Sequence, residues 1–135
     1  MAVLVGRVTQ GFGQAGQNLA PVAGLICRRT GLRVAHTGTL NVRLTQPYLF
    51  EAEAEISTDE YHGWERLKLQ RCCLGGLRGV IVRPETHESG NGHGPAYLEI
   101  LAEVHLRDAL RLQENDEIQV TAGGRLTCWE GLGPV

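Results

Sequence analysis

Alternation of apolar and polar residues is the main signal along this chain, and it predicts a protein built mainly from short β-strands. In residues 39–44 the leucine and valine side chains project to one face, and Thr39, Asn41 and Arg43 project to the other. Similar strands are expected over residues 3–9, 48–56, 66–74, 79–83, 97–102 and 117–121. Six or seven strands with short connections indicate a small barrel or sandwich, and closing the barrel would remove its exposed edges.

One segment has helical periodicity instead. Apolar residues recur at intervals of three and four between residues 20 and 30, with Pro21 in the first turn and Asn18 available as a cap. Gly31 is a natural stop for a helix that ends there. The pattern predicts one short helix that covers the barrel or sheet, and residues 106–112 suggest one or two further helical turns.

Glycine-rich stretches mark the predicted loops. Residues 10–17 read QGFGQAGQ, and such spacing lets backbone N–H groups approach an anion, although the stretch lacks the lysine of a P-loop. Residues 85–95 contain His87 and His93 and are expected to form an exposed surface loop. The end of the chain, from about residue 123, lacks periodicity and is expected to be a frayed tail.

Length, composition and net charge limit the classes of protein to which this chain could belong. The 135 residues are 42% hydrophobic and 21% charged, which predicts a single globular domain over residues 1–135. A net charge of −2 argues against general affinity for nucleic acid. Because Arg7 interrupts the apolar start and no apolar run approaches the ~18 residues of a membrane span, we expect a soluble cytoplasmic protein without a leader or a membrane partner.

The four cysteines lack the spacing of a metal site. None forms a C-x-x-C pair, and the neighbours Cys72 and Cys73 would project to opposite faces of a strand. The expectation is therefore buried or half-buried free thiols.

Thr39 and Asn41 carry the clearest candidate chemistry. A hydroxyl and a carboxamide two residues apart leave a strand on the same side. Two neutral oxygens held together suit a hard cation such as Mg²⁺, particularly when substrate phosphates supply the negative charge. The alternative at this point is a strand with an exposed polar face.

Three motifs then occur in the order found in a known family: Gly6-x-Val8-x-x-Gly11-Phe12-Gly13, Gly38-Thr39-Leu40-Asn41-Val42-x-Leu44, and Leu98-Glu99-Ile100-x-Ala102-x-x-x-Leu106-Arg107-x-x-Leu110-x-Leu112-x-x-x-Asp116. Together, over roughly residues 3–121, they resemble the CTP-dependent riboflavin kinases best known from archaea. The resemblance implies a mainly β fold, a small closed six-stranded barrel of the cradle-loop type with one or two short helices. It also implies Mg²⁺ as cofactor and transfer of the CTP γ-phosphate to the 5′-hydroxyl of riboflavin, giving FMN and CDP.

The resemblance assigns roles to individual residues. Thr39 and Asn41 match the metal ligands of the family. Glu99 matches a flavin-site carboxylate, which would orient the acceptor hydroxyl and accept its proton, and Thr86 matches a second flavin contact. The nucleotide contacts match two segments: Phe12, Gly13, Gln14, Ala15, Gly16 and Gln17 in the glycine-rich loop, and Val104, His105, Leu106 and Arg107 later in the chain.

Departures from the family pattern leave alternatives open. The loop lacks the family's Glu-Gly at residues 14–15, and Ala35-His36 replaces a Pro-Tyr pair, where His36 could stack in place of the aromatic wall. Asn115 replaces a glycine and suits a left-handed backbone. One alternative is therefore a catalytically divergent flavin- or nucleotide-binding barrel. Another is a dimeric DNA-binding regulator of the swapped-hairpin type, because residues 106–120 also resemble that class.

Overall fold

The computed structural model describes residues 1–10, 19–36, 38–89 and 93–133. Within these ranges the strands are β1 Ala2–Thr9, β2 Thr39–Leu44, β3 Ala54–Ile56, β4 Leu67–Leu74, β5 Leu77–Pro84, β6 Tyr97–Ala102 and β7 Glu117–Ala122. The α-helices are α1 Ala23–Thr30, α2 Thr58–Tyr61, α3 Thr86–Ser89 and α4 Leu106–Ala109, with 3₁₀ turns at Ala20–Val22 and Thr127–Trp129. None of these helices is long and apolar enough to cross a membrane.

The strands close into a barrel. They follow the order β3-β4-β5-β6-β2-β1-β7, and a further pairing between β4 and β7 joins the two ends. Among the described strands all pairings are antiparallel, and β3 pairs with β4 alone. The closed part therefore has six strands, which confirms the expected mainly β barrel, and β3 is a short addition on its outside.

The segment of residues 48–56 is a strand only at its end, so the longer strand expected there is wrong. The Tyr48 N–H donates to the Pro95 carbonyl before β6, whereas the Glu53 N–H donates to the Leu69 carbonyl in β4. The segment therefore bonds first to the turn before β6 and then to β4, and only its last three residues, Ala54–Ile56, pair along a strand. In its alternating sequence Phe50 is buried and Glu51 is exposed.

The strand faces separate two cores. Side chains that point into the barrel form the first core, which includes Val8, Leu40, Val42, Cys72, Ile81, Leu98, Ile100 and Val120. The second core lies between the outer barrel wall and the segments that cover it, and it includes Val22, Ile26, Leu69, Val80, Val82, Leu101 and Trp129. Helix α1 thus covers one side of the barrel, as the helical periodicity predicted. Gly31 ends α1 with φ 84°, and its N–H donates to the Cys27 carbonyl at 2.9 Å.

The C-terminal segment is part of this second core, so the expectation of a frayed tail from residue 123 is wrong for its buried part. Trp129 is 4% exposed, and its indole N–H donates to the Cys72 carbonyl at 2.9 Å. Cys73 and Cys128 form a disulfide, while Cys27 and Cys72 are free thiols. The expectation of free thiols is therefore wrong for one pair, because Cys73 points outward from β4 toward the returning chain.

The predicted surface loop of residues 85–95 contains helix α3, and one of its histidines is buried. His87 is 6% exposed, and burial lowers the pKa of its imidazole to about 4. Arg83, 1% exposed, donates to the carbonyls of Tyr48 and Pro95 at 2.7 and 3.2 Å, and so joins the end of this segment to the chain at Tyr48. His93 is exposed, as expected.

Candidate active site

The candidate site lies on the outer face of β2, where Thr39 and Asn41 project. The strand alternates as predicted, with Leu40, Val42 and Leu44 buried in the barrel interior. Asn41 stands directly opposite Thr9 of β1 and directly opposite Glu99 of β6. Since opposed residues of antiparallel strands share a face, the expected metal ligand and the expected catalytic carboxylate are neighbours.

Thr39 and Asn41 are not an exposed polar face. The Thr39 Oγ1 atom is buried and has no hydrogen-bond partner among the described residues. Asn41 is 7% exposed, and its Oδ1 atom accepts a hydrogen bond of 2.7 Å from the Tyr97 hydroxyl. A buried hydroxyl without a partner is costly and uncommon, and such groups often serve a ligand.

The donor set fits a hard cation. Two neutral oxygens match the oxygen ligands that Mg²⁺ takes together with substrate phosphates. The Thr39 oxygen has no partner in the described part of the chain, and the Asn41 oxygen has a second lone pair available. Across the described ranges no group of three or more His, Cys, Asp or Glu side chains could hold a metal. Any cation at Thr39 and Asn41 would therefore be held by their two neutral oxygens together with oxygens of the substrate.

Glu99 has a carboxyl whose pKa lies near neutral pH. Burial, and to a smaller extent the charge of Glu65, raise the pKa of its carboxyl to about 7. A carboxyl with such a pKa is partly ionised at neutral pH, which is the range where a general base works best.

The second segment expected to contact the nucleotide lies beside Thr39. A small cavity of about 70 Å³ is lined by Gly38, Thr39 and Leu40 on one side and His105, Leu106 and Arg107 on the other. The Leu106 side chain packs in the barrel core, which leaves only its backbone for a ligand. Val104, by contrast, is 42% exposed.

The glycine-rich loop begins at the same place, although Phe12, Gly13, Gln14, Ala15, Gly16 and Gln17 lie outside the described residues. Arg107 donates to the Thr9 carbonyl at 3.1 Å, and the Gln10 N–H donates to Glu114 at 3.0 Å. Arg107 and Glu114 also pair at 3.3 Å. The start of the loop is thus fixed beside Asn41 by the segment expected to contact the nucleotide.

His36 borders the end of the site where the nucleotide is expected. Its Nδ1 atom accepts a hydrogen bond from the Gly38 N–H at 3.2 Å, and its ring centroid lies 5.1 Å from that of His105. Tyr97 lies at the other end, where its ring contacts His93 and His87. His36 is therefore placed to support the loop before Thr39.

Thr86 lies at the start of α3, and its hydroxyl donates to Glu65 Oε1 at 2.8 Å. Sequence reasoning singled out neither Glu65 nor Tyr97. Tyr97 was detectable in principle, because it lies two residues before Glu99 and must share its face. Glu65 lies in a connection that carries no periodic signal, so only the structure identifies it.

Comparison with known proteins agrees with this arrangement. A family model, CTP-dep_RFKase, described as "Domain of unknown function DUF120", matches residues 8–122. A protein from Pyrococcus abyssi named riboflavin kinase is 32% identical over 125 residues, covering 87% of this chain and 57% of that protein. A riboflavin kinase from Thermococcus kodakarensis is 30% identical over 126 residues, with the same coverage of 87% and 57%.

A riboflavin kinase from Methanocella arvoryzae is 32% identical over 90 residues, which cover 64% of this chain and 40% of that protein. The chain thus spans between 40% and 57% of the length of these three relatives. The family model covers all the described candidate residues, from β1 to β7. On the order of its motifs, its closed barrel and this match, the chain belongs to the family of CTP-dependent riboflavin kinase domains.

Proposed function

We propose that this chain transfers the γ-phosphate of CTP to the 5′-hydroxyl of riboflavin, giving FMN and CDP. The observation that carries the proposal is the register that sets Asn41 opposite Glu99, two residues from a buried Thr39 hydroxyl that lacks a partner among the described residues. Family membership supplies the substrates, since no described contact distinguishes CTP from ATP.

The position of each residue suggests its role in binding Mg²⁺ and the nucleotide. Thr39 and Asn41 would hold Mg²⁺, which when bound supplies positive charge to the nucleotide phosphates. The cavity between residues 38–40 and 105–107 would receive part of the nucleotide. Phosphoryl transfer depends mainly on alignment and neutralisation of charge, so no nucleophilic side chain is needed.

Glu99 acts on the acceptor. Its carboxylate would accept a hydrogen bond from the 5′-hydroxyl, orient that oxygen, and take its proton as the oxygen–phosphorus bond forms. A pKa of about 7 leaves a substantial fraction ionised at neutral pH, while the acid form remains strong enough to release the proton afterwards.

The test is FMN formation. Purified chain is incubated with riboflavin, Mg²⁺ and either CTP or ATP, and FMN is separated and quantified. We expect FMN with CTP, and a reduction of at least about 100-fold in kcat for Glu99→Gln. The matched control is Glu117→Gln, an exposed carboxylate on β7, which should leave kcat unchanged.

Two results would contradict the proposal in different ways. A folded chain that binds riboflavin and CTP but forms no FMN would be the divergent binding barrel. A chain that binds neither compound, yet is retained on DNA in a salt-dependent way, would be a regulator.

A further inference from the structure

Glu65 and Thr86 face each other at the end of a strand pair. In the β4–β5 ladder Leu67 pairs with Pro84, and the Glu85 N–H donates to the Arg66 carbonyl at 3.1 Å one step further. The next step of the same register brings Glu65 opposite Thr86. The contact between Glu65 and Thr86 is therefore a consequence of the β4–β5 register.

A single carboxylate oxygen holds Thr86 at two points. Glu65 Oε1 accepts hydrogen bonds from both the backbone N–H and the hydroxyl of Thr86, each at 2.8 Å. Glu65 is itself held, because its carbonyl accepts a hydrogen bond from the Tyr61 hydroxyl. Both side chains are only half-buried, so the pair remains open to a ligand on one side.

The pair borders the candidate site. The ring centroid of His87, the residue after Thr86, lies 5.9 Å from that of Tyr97, whose hydroxyl donates to Asn41. Helix α3, which begins at Thr86, is anchored at its other end by Glu88, which pairs with Lys68 at 2.9 Å and with the buried Arg83 at 3.4 Å. Thr86 is thus a fixed point at the edge of the site.

The direction of the hydroxyl hydrogen bond limits what Thr86 can do. A threonine hydroxyl has one proton and two lone pairs, and here the proton points to a carboxylate. A carboxylate only accepts, so it fixes this direction. The Thr86 hydroxyl can therefore only accept a further hydrogen bond.

We propose that Glu65 is a positioning residue for the substrate, which fixes the Thr86 hydroxyl so that it accepts a hydrogen bond from a donor group of the flavin. The inference rests on the proposed function and deepens it. Riboflavin offers two kinds of donor, the ribityl hydroxyls and the N–H of its ring imide. Its ring carbonyls are acceptors and are excluded as partners of Thr86.

The first experiment measures the dissociation constant of riboflavin from its fluorescence, without nucleotide, and then kcat and the KM for CTP. Glu65→Ala should weaken riboflavin binding about 10-fold and leave the KM for CTP unchanged. Glu65→Gln keeps an acceptor oxygen at the same place and should restore binding to within about 3-fold of wild type. The proposal would be overturned if Glu65→Ala raised the riboflavin dissociation constant and the KM for CTP equally. It would also be overturned if Glu65→Gln did not restore riboflavin binding.

Thr86 variants separate positioning from a general structural role. Thr86→Val should weaken riboflavin binding as Glu65→Ala does, and the double variant should bind no more weakly than Thr86→Val alone. Additive losses in the double variant would mean that Glu65 does not act through Thr86, and the proposal would fail.

Two flavins test the donor directly. Riboflavin methylated at the ring imide nitrogen lacks one donor, and lumiflavin lacks the ribityl hydroxyls. One of these two compounds should bind wild type and Thr86→Val equally. If Thr86→Val weakened the binding of both compounds as much as it weakens riboflavin binding, Thr86 would not be a hydrogen-bond acceptor for the flavin. If the wild-type chain bound no riboflavin, the proposed function would fail as well.

Discussion

The hydroxyl of Tyr97 donates a hydrogen bond of 2.7 Å to Oδ1 of Asn41, and both side chains are buried. The bond fixes which end of the carboxamide carries the oxygen, and it leaves that oxygen a second lone pair. Groups that orient a metal ligand in this way commonly change metal affinity by 10- to 100-fold when removed.

Replacing Tyr97 with phenylalanine should therefore act on Mg²⁺ dependence. We expect the Mg²⁺ concentration for half-maximal FMN formation to rise about 10-fold or more, with a loss of about 1 kcal/mol in the free energy of unfolding. Tyr48→Phe is the matched control, because it also removes a 2.7 Å phenol hydrogen bond, but one to Gln70. An equal Mg²⁺ shift in both variants would refute the role of Tyr97.

Thr39 should separate activity from stability. Its hydroxyl is buried without a partner among the described residues, so Thr39→Val should leave the free energy of unfolding unchanged or raise it slightly. The same substitution should lower kcat by about 100-fold if the hydroxyl holds Mg²⁺. Kinetics and urea denaturation of the same preparation provide both values.

Thr30→Val is the opposite case. The Thr30 hydroxyl is also buried, but it donates to the Ile26 carbonyl at 2.7 Å. Its loss should cost about 1 kcal/mol of stability without affecting kcat. If Thr39→Val destabilised the chain as much as Thr30→Val and kept its activity, Thr39 would be an ordinary structural residue.

Half-buried Glu99 and buried His87 should give opposite pH dependences of stability. Glu99 has a pKa of about 7 in the fold, above its ordinary 4.5, because the fold desolvates its carboxyl. Between these values the folded chain holds a proton that the unfolded chain has lost, so stability falls as pH rises. His87 has a pKa of about 4 in the fold, below its ordinary 6.5, so stability rises with pH between those values.

The two effects oppose each other between pH 4.5 and 6.5, and single variants should expose them. In Glu99→Gln the free energy of unfolding should rise with pH across this range, and in His87→Gln it should fall. Each slope should approach about 1.4 kcal/mol per pH unit, and wild type should lie between them. Urea denaturation without divalent cations measures the slopes, and parallel curves for the two variants would disprove the assignment.

Where residues alternate strictly, the sequence was enough to predict structure. In β2 the period of two places Leu40 and Asn41 on opposite faces, and one face must enter the core. The same rule, applied to β6, puts Glu99 outward. That Asn41 and Glu99 stand side by side, however, depends on which strands are neighbours, and β2 and β6 are far apart in the chain. The family resemblance gave both residues a role in one reaction, whereas the pairing of their strands came from the structure.

Other features depend on contacts that no local pattern encodes. The Glu65–Thr86 bond requires the β4–β5 register, and the burial of His87 requires Tyr97 beside it. Asn115 is a case where local chemistry sufficed, because its φ of 71° is the left-handed backbone expected for a residue in place of glycine.

The disulfide between Cys73 and Cys128 joins β4 to the C-terminal segment across 55 residues of chain. Closing a loop of this length should contribute about 4 kcal/mol to stability, because the cross-link lowers the conformational entropy of the unfolded chain. Cys128→Ala should therefore lower the free energy of unfolding by several kcal/mol under oxidising conditions and change little under reducing ones. Cys27→Ala, which removes a free thiol, is the control. Equal stability of Cys128→Ala and wild type under oxidising conditions would contradict the contribution.

Gly6 allows β1 to approach β2 beside the candidate site. A Cβ atom at this position would lie 2.5 Å from the Arg43 carbonyl oxygen and 2.8 Å from the Val42 Cγ1 atom, so Gly6→Ala must push the strands apart. We expect a loss of about 1–3 kcal/mol in stability. Because Thr9 of β1 stands opposite Asn41, the displacement should also weaken Mg²⁺-dependent turnover.

Gly24→Ala is the control for Gly6→Ala. It is exposed in α1, where an added methyl group meets only the flexible end of Arg28 at 3.5 Å. Gly24→Ala should therefore stabilise the chain by up to about 1 kcal/mol through helix propensity, with unchanged kcat. Thermal unfolding and FMN formation, measured on both variants, separate the two effects. If Gly6→Ala were as stable and as active as Gly24→Ala, the close approach of β1 to β2 would not be needed to hold Asn41 in place.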